Sequence, residues 1–184
     1  MSQGKPPKNA ITLRPGNATT PPLLQVNAWA LEAPPVEYFA DTCTARLVDG
    51  NPTLFFAQRG LDDQIVNAIA IVMPQERFKE MATSFEPVLE QMSPELIAAG
   101  RAMPDEPLGA VPAGNFRKFF ASMVRGGAGA DHAMIDFYRV SLATKEQLQH
   151  GVPTDLIQGH VRVFTSPSTL AHLFHILESK GLTS

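Results

Sequence analysis

The chain has 184 residues, a formal net charge of −3 at pH 7 and a hydrophobic fraction of 44%, values typical of a soluble globular protein with one substantial core. The small net charge argues against nucleic acid or an anionic membrane as a partner, and the longest apolar stretches fall well short of the roughly 20 residues that a membrane span requires. Cys43 is the only cysteine, which excludes an internal disulfide and favours a cytoplasmic location.

Residues 1–36 are predicted to form a proline-rich N-terminal arm. Proline fixes φ and lacks an N–H donor, so most of this segment is excluded from helices and central strands. The patch 23–31 alternates apolar and polar side chains, which permits a short strand. We expect a flexible arm to about residue 20 and then an extended segment that docks on the protein or on a neighbouring copy. The alternative is simple disorder of the first 20 residues.

Residues 37–101 are predicted to form a first strand–helix unit. Three β-rich stretches, separated by turn residues that include the hairpin signal Asp49-Gly50, indicate a meander; they are residues 42–48, 53–59 and 65–72. Pro74 is well placed in the first turn of a helix with one apolar face. Pro87 predicts a kink or break in that helix, and a further short helix is expected between Ser93 and Gly100.

Residues 102–130 are predicted to be a linker with a short amphipathic helix. Four apolar side chains in this segment share one face at helical spacing; they are Phe116, Phe119, Phe120 and Met123. The glycine-rich run from Gly126 to Ala130 would end this helix and act as a flexible connector. A phosphate site is not expected there, because such sites place glycines between a strand and the N-terminus of a helix.

Residues 131–184 are predicted to form a second strand–helix unit. Alternating side chains over residues 133–143 indicate a strand, and a polar loop follows. A second strand over residues 160–164 then leads into a final helix from Pro167 to about Lys180.

The two units contain similar strand–turn–helix segments. In residues 69–74 a β-branched alternating strand meets Pro74, and in residues 161–167 a similar strand meets Pro167. The helices that follow have the same apolar spacing. This pattern predicts an α+β fold, with antiparallel sheets, helices packed on one face and two pseudo-repeated halves. Chance similarity between two such common units is the alternative.

Several of these segments resemble a family of short bacterial proteins of unknown function. Its members combine strands with a V-x-M-S-P type of turn and a following helix. The residues that carry the resemblance are Phe39-Ala40-Asp41, the strand 53–58 and the segment 69–81. Residues 163–167 match the turn more closely than residues 72–74, which lack the serine. The resemblance covers about half of the chain, and it implies no active site.

Asp131 and His132 are the first candidates for chemistry. A histidine beside a carboxylate, after a glycine-rich segment, could perform acid–base catalysis. Cys43 could complete such a constellation by residue type alone, but a single cysteine in a strand is more often a small buried hydrophobe.

Two other patterns are predicted to be structural. His172 and His175 have a spacing that can hold a metal, but the helical geometry predicts that both lie on the surface, away from the core, and no further ligand is recognisable. Arg117, Lys118 and Arg125 form a basic face that is too small for a nucleic-acid site.

The expected function is therefore a non-enzymatic protein-binding or assembly protein, with a homo-oligomer as the predicted state. Partner subunits would cover a sheet face or edge. No cofactor, metal, nucleic acid or membrane is expected to take part, and no residue is assigned as catalytic. The alternative is a small enzyme that uses Asp131 and His132 in acid–base chemistry.

Overall fold

The computed structural model describes residues 33–105, 116–139 and 158–182, which contain eight strands and three helices. The strands are β1 (Glu37–Phe39), β2 (Thr42–Val48), β3 (Asn51–Arg59), β4 (Ile65–Val72), β5 (Phe116–Phe120), β6 (Met123–Ala128), β7 (Ala133–Arg139) and β8 (Gln158–Thr165). The helices are α1 (Gln75–Glu90), α2 (Pro94–Ala102) and α3 (Pro167–Ser179). Within these residues, no helix is long and apolar enough to span a bilayer.

The strands form two four-stranded sheets, in the orders β1-β8-β7-β6 and β2-β3-β4-β5. The predicted α+β class is confirmed. The prediction of antiparallel sheets is only partly right, because β1 pairs with β8 and β5 pairs with β4 in parallel. Both sheets are therefore mixed. Each parallel pair joins strands that are distant in the chain, so neither could be inferred from hairpin signals.

The meander predicted over residues 42–72 is confirmed as β2, β3 and β4. Its first turn is the hairpin turn that Asp49-Gly50 predicted, because both residues have positive φ, at 50° and 76°. A two-residue hairpin turn of this kind follows the natural twist of the strands that it joins. The turn thus sets the register in which Val48 faces Asn51.

Two short bends connect one sheet to the other. Between β1 and β2, Ala40 N donates to Phe164 O of β8 at 2.8 Å, and Asp41 N donates to Ala57 O of β3 at 3.1 Å. Between β5 and β6, Ala121 N donates to Val72 O at 3.0 Å, and Ser122 N donates to Tyr138 O at 2.9 Å. The backbone hydrogen bonding therefore continues around both corners.

The helices pack across these connections onto a shared core. Helix α1 contacts β6, and α3 contacts both β2 and α2. The fully buried rings of Phe56 and Phe137 meet at the centre with centroids 5.9 Å apart, and Phe85 of α1 lies 5.2 Å from Phe174 of α3. One apolar cluster thus spans both sheets, α1 and α3.

The prediction of an amphipathic helix in the linker is wrong. Residues 116–120 and 123–128 are strands β5 and β6, and the first three residues of the expected glycine connector, Gly126, Gly127 and Ala128, belong to β6. Backbone pairing of β5 with β4, in which Phe119 lies beside Ile71, overrides the helical spacing of the phenylalanines.

Two helix boundaries also differ from the prediction. Helix α1 continues through Pro87 to Glu90, so no break occurs there. Gly100 lies inside α2 rather than at its end. It is buried against α3. A side chain at Gly100 would place its Cβ 2.6 Å from Ser168 O, so close helix packing explains this glycine.

Three predicted segments lie outside the described residues: the arm up to residue 32, most of the linker before β5, and the loop of residues 144–158 except for its last residue, which begins β8. The final helix is confirmed within one residue, as Pro167–Ser179. Ser166 caps it by accepting a hydrogen bond from Thr169 N at 3.0 Å, which is the usual role of a serine before a helix.

Gly126 and Gly127 provide a matched test of the packing between α1 and β6. A Cβ at Gly126 would overlap the ring of Phe85 and lie 2.6 Å from Met134 O, whereas a Cβ at Gly127 meets nothing within 4 Å. We expect Gly126→Ala to lower the free energy of unfolding by about 1–3 kcal/mol. Gly127→Ala should stay within about 0.5 kcal/mol of the parent protein. Urea denaturation measures both, and equal effects would contradict this packing.

Candidate functional site

Phe39 is the most prominent exposed aromatic residue on the sheet β1-β8-β7-β6. Strand β1 has only three residues, and its alternation turns Tyr38 into the core and Phe39 outward. Phe39 lies beside Phe164 of β8, and the two rings stack with centroids 5.1 Å apart and planes 17° apart. Even so, Phe39 is 60% exposed. Aromatic side chains are enriched in protein interfaces, so this exposed ring is a candidate contact residue.

A cleft of about 640 Å³ opens beside these two rings, and we call it the aromatic cleft. It lies where the ends of β1, β3 and β8 approach the turn between β6 and β7. Its lining residues are Phe39, Ala40, Asp41, Gln58, Arg59, Val66, Asp131, His132, Phe164, Thr165 and Ser166. The predicted pair Asp131 and His132 is thus brought to a concave surface, where both residues are exposed.

Several polar groups of the aromatic cleft serve the fold. Both carboxylate oxygens of Asp41 accept from Arg59 N, at 2.9 and 3.2 Å. Arg59 Nη1 also pairs with Asp63 at 3.0 Å. The Ser166 hydroxyl contacts that of Thr169 at 2.8 Å, in addition to capping α3. Asp131 and His132 are therefore the candidates from the sequence on which the acid–base hypothesis depends.

Cys43 does not join this cleft. Its side chain is buried under α3, and Sγ donates to Thr169 O at 3.5 Å. Burial, reinforced by the charge of Asp105, raises the pKa of the thiol. The thiolate is the nucleophilic form, so this cysteine is unreactive at neutral pH. The hypothetical constellation with His132 is therefore wrong, and Cys43 is the buried hydrophobe that its strand position indicated.

A polar network borders the aromatic pair on the outer face of the same sheet. Arg162 forms two hydrogen bonds with the carboxylate of Asp136, at 2.7 and 2.8 Å, and Tyr138 Oη donates to Asp136 at 3.1 Å. The guanidinium carbon of Arg162 lies 5.9 Å from the ring centre of Phe164. Asp136 and Tyr138 are buried, whereas Arg162 and Phe164 are half-buried, so Arg162 connects the buried part of the network to the aromatic pair.

The network changes the proton affinity of its members. Hydrogen bonding to Asp136 raises the pKa of Arg162. Burial raises the pKa of Tyr138 to about 12, and the negative charge of Asp136 adds to this effect. Neither group releases a proton near neutral pH, so the network supplies position and charge rather than acid–base catalysis.

The sequence did not reveal this network. Asp136 and Arg162 lie on neighbouring antiparallel strands and face each other directly in the register. Their alternation with buried residues gave each an outward position, but only the pairing of β7 with β8 brings them together. An alternating strand that keeps a charge at one position was the only available signal.

The prediction that His172 lies on the surface is wrong. His172 is 1% exposed, and its Nδ1 donates to Gly100 O at 3.0 Å. Helix α2 packs on α3, so α3 is buried on two faces, and a single apolar face could not predict this. His175, in contrast, is half-buried. No group of three or more metal-ligating side chains occurs within the described ranges.

The basic residues that the sequence placed on one helical face lie instead on two strands. Arg117 and Lys118 are exposed on β5, and Arg125 is exposed on β6. Phe119 packs against the core, but Phe120 is 57% exposed and lies under Lys118 Nζ at 5.5 Å. Phe116 is also exposed, at 45%, so the shared apolar face that the helical spacing predicted for these phenylalanines is not formed.

No protein-family model, no curated protein and no solved structure matches this chain. The resemblance to a bacterial family therefore stays a prediction. A proposal for the function must therefore rest on the geometry of the described residues.

The pair of Asp136 and Arg162 gives a test of the polar network. We expect Asp136→Ala to lower the free energy of unfolding by about 3 kcal/mol, because it leaves Arg162 half-buried without its partner. Tyr138→Phe removes one hydrogen bond and should cost only about 1 kcal/mol. Chemical denaturation measures both variants. A smaller loss for Asp136→Ala than for Tyr138→Phe would show that the ion pair does not organise this surface.

His172 predicts a dependence of stability on pH. Burial lowers its pKa below the value of 6.5, although the bond to Gly100 O and the charge of Asp105 oppose that change. The unfolded chain then binds the proton more readily, so stability falls as pH drops from above 6.5 towards the lower folded pKa. We expect His172→Asn to reduce this loss. His175→Asn is the matched control, because His175 lies on the same helix but is less buried.

The measurement is urea denaturation at several pH values between neutral and mildly acidic. Burial also lowers the pKa of His160, which remains in both variants, so the slope should shrink without vanishing. An unchanged slope in His172→Asn would contradict the assignment.

Proposed function

We propose that this protein is a non-enzymatic assembly protein whose partner is a second copy of the chain. The observation that carries the proposal is the exposure of Phe39 on β1 and Phe120 on β5. Within the described part of the chain, β1 is paired only with β8 and β5 only with β4. A strand paired on one side is a template for another strand, and exposed aromatic rings add apolar contact area.

Charge supports the choice of a second copy as the partner. The β1 edge carries the exposed carboxylate of Glu37, and the β5 edge carries the exposed cations of Arg117 and Lys118. Opposite charges on the two edges favour contact between β1 of one copy and β5 of the next. Such a contact joins two different surfaces, so it closes into a ring or extends as a chain of copies.

We also propose that the fold consists of two pseudo-repeated halves, residues 33–105 and residues 116–182. The pairing registers support this. Phe39 lies beside Phe164 in one half-to-half contact, and Phe120 lies beside Val72 in the other. In each case the next residue, an alanine, donates its N–H to the carbonyl of that same partner. A duplicated unit explains why two strands present similar exposed aromatic residues at separate edges.

The assembly test reverses the charges of the two edges. Multi-angle light scattering should give a mass above that of one chain for the parent protein. Glu37→Lys alone, or Lys118→Glu alone, should shift the protein towards the single-chain mass, and the double exchange should restore assembly. Reversal of Arg125, which lies on β6 rather than on β1 or β5, is the control and should leave the mass unchanged.

A parent protein that remains a single chain at every concentration would overturn the assembly proposal. Single and double exchanges that behave alike would remove this pair of edges as the contact. The predicted cytoplasmic location is compatible with the single buried cysteine, and it stays a prediction.

The alternative function is a small enzyme that works at the aromatic cleft. One observation favours it: Asp131 and His132 both line a concave surface of about 640 Å³. Asp131→Asn and His132→Gln should leave the mass and the stability unchanged if assembly is the function. Line broadening of the His132 signal in an NMR titration with small organic acids and amines would instead support a ligand site there.

A further inference from the structure

Each half of this chain completes a sheet of the other half. Strand β1 precedes β2 by a two-residue bend, but it pairs with β8 of the second half. Strand β5 precedes β6 by a similar bend, but it pairs with β4 of the first half. The first described strand of each half therefore pairs with a strand of the other half.

The helices follow the same exchange. Helix α1 of the first half packs on β6 of the second, where the Phe85 ring lies against Gly126. Helix α3 of the second half packs on β2 of the first, where Cys43 donates to Thr169 O. Lys180, just after α3, also donates to Ala45 O of β2 at 2.7 Å. That bond occupies a carbonyl group on a strand whose other edge pairs with β3.

From these contacts we infer that the two halves are a strand-exchanged pair, held together by mutual docking and independent of the covalent connection at residues 106–115. Each half is a binding module, and the partner that it fits is another strand–helix unit of the same kind. The recognised element is an extended aromatic–Phe–Ala strand that bends into the next strand, as in Tyr38-Phe39-Ala40 and Phe119-Phe120-Ala121. This inference rests on the proposal of two pseudo-repeated halves.

The core explains why neither half is complete alone. Tyr38 and Phe119 are the inward residues of the exchanged strands. Tyr38 belongs to the core and Phe119 packs against it, and both lie on strands that pair with the other half. Phe56 and Phe137, one from each half, are fully buried against each other. Separation of the halves would expose both rings together with two sheet edges, which is a large loss of buried apolar area.

The test cleaves the full chain after it has folded. A protease site is placed within residues 106–115, and the uncleaved protein must match the parent in mass and in circular dichroism. After cleavage, we expect the two fragments to elute together from a size-exclusion column in native buffer, with an unchanged spectrum. They should separate only in denaturant and recombine when the denaturant is removed.

A matched pair of substitutions on β5 connects this result to the exchanged strand. In the cleaved protein, Phe119→Ala should weaken retention of the fragments by roughly tenfold or more, because it removes an inward ring. Phe120→Ala removes the neighbouring outward ring and should leave retention unchanged. The cleaved parent protein decides the question even if Phe119→Ala does not fold.

Fragments that elute apart in native buffer, folded or unfolded, would overturn the inference. Retention that falls equally in both variants would also overturn it, because the contact would then not depend on the inward face of β5. This outcome is separate from the assembly test, since fragment retention concerns contacts within one chain and light scattering concerns contacts between chains.

Discussion

The parallel pairing of β1 with β8 and of β5 with β4 is the constraint on which the rest of the structure depends. A parallel pair requires a long crossover, and here each crossover leads from one half of the chain to the other. The bends after β1 and β5 connect each pairing to the other sheet, because Asp41 N donates to Ala57 O at 3.1 Å and Ser122 N donates to Tyr138 O at 2.9 Å. Because the sheets are joined at both corners, α1 and α3 meet a single core.

The two outer sheet faces differ, although the backbone pairing that supports them is similar. On the face of β7 and β8, Asp136 lies opposite Arg162 and the pair is charged. At the corresponding place on β3 and β4, Phe55 lies opposite Ala70, and the pair is apolar. Two sheets with similar backbone pairing can therefore carry different side chains on their outer faces, and each face can have a different function. The alternative function belongs to the side of β7 and β8, because the aromatic cleft is lined by Phe164 of β8 and by Asp131 and His132 before β7.

Local signals predicted the elements whose stability is mainly local. Asp49-Gly50 set the first hairpin, and Ser166-Pro167 set the start of α3, because turn and cap geometry depend on a few neighbouring residues. The phenylalanines of β5 were assigned to a helix because their spacing suits one, and only the pairing with β4 decides otherwise. His172 was misplaced for a related reason, since α2 covers a second face of α3. The recurrence of an aromatic–Phe–Ala sequence before each meander was visible in the chain but lacked meaning without the register.

Strands β1 and β5, the exchanged strands, combine a face that packs inward with a face that is exposed. Their inward residues, Tyr38 and Phe119, face the shared core, while their outward residues, Phe39 and Phe120, are exposed. Because side chains alternate along a strand, a change at one position leaves the opposite face nearly unaffected. In addition, each strand uses one edge within the chain, and in the described residues its other edge pairs with nothing. The internal pairing therefore fixes the direction of the outer edge, so any partner that adds a strand there meets a preformed surface and pays little ordering entropy.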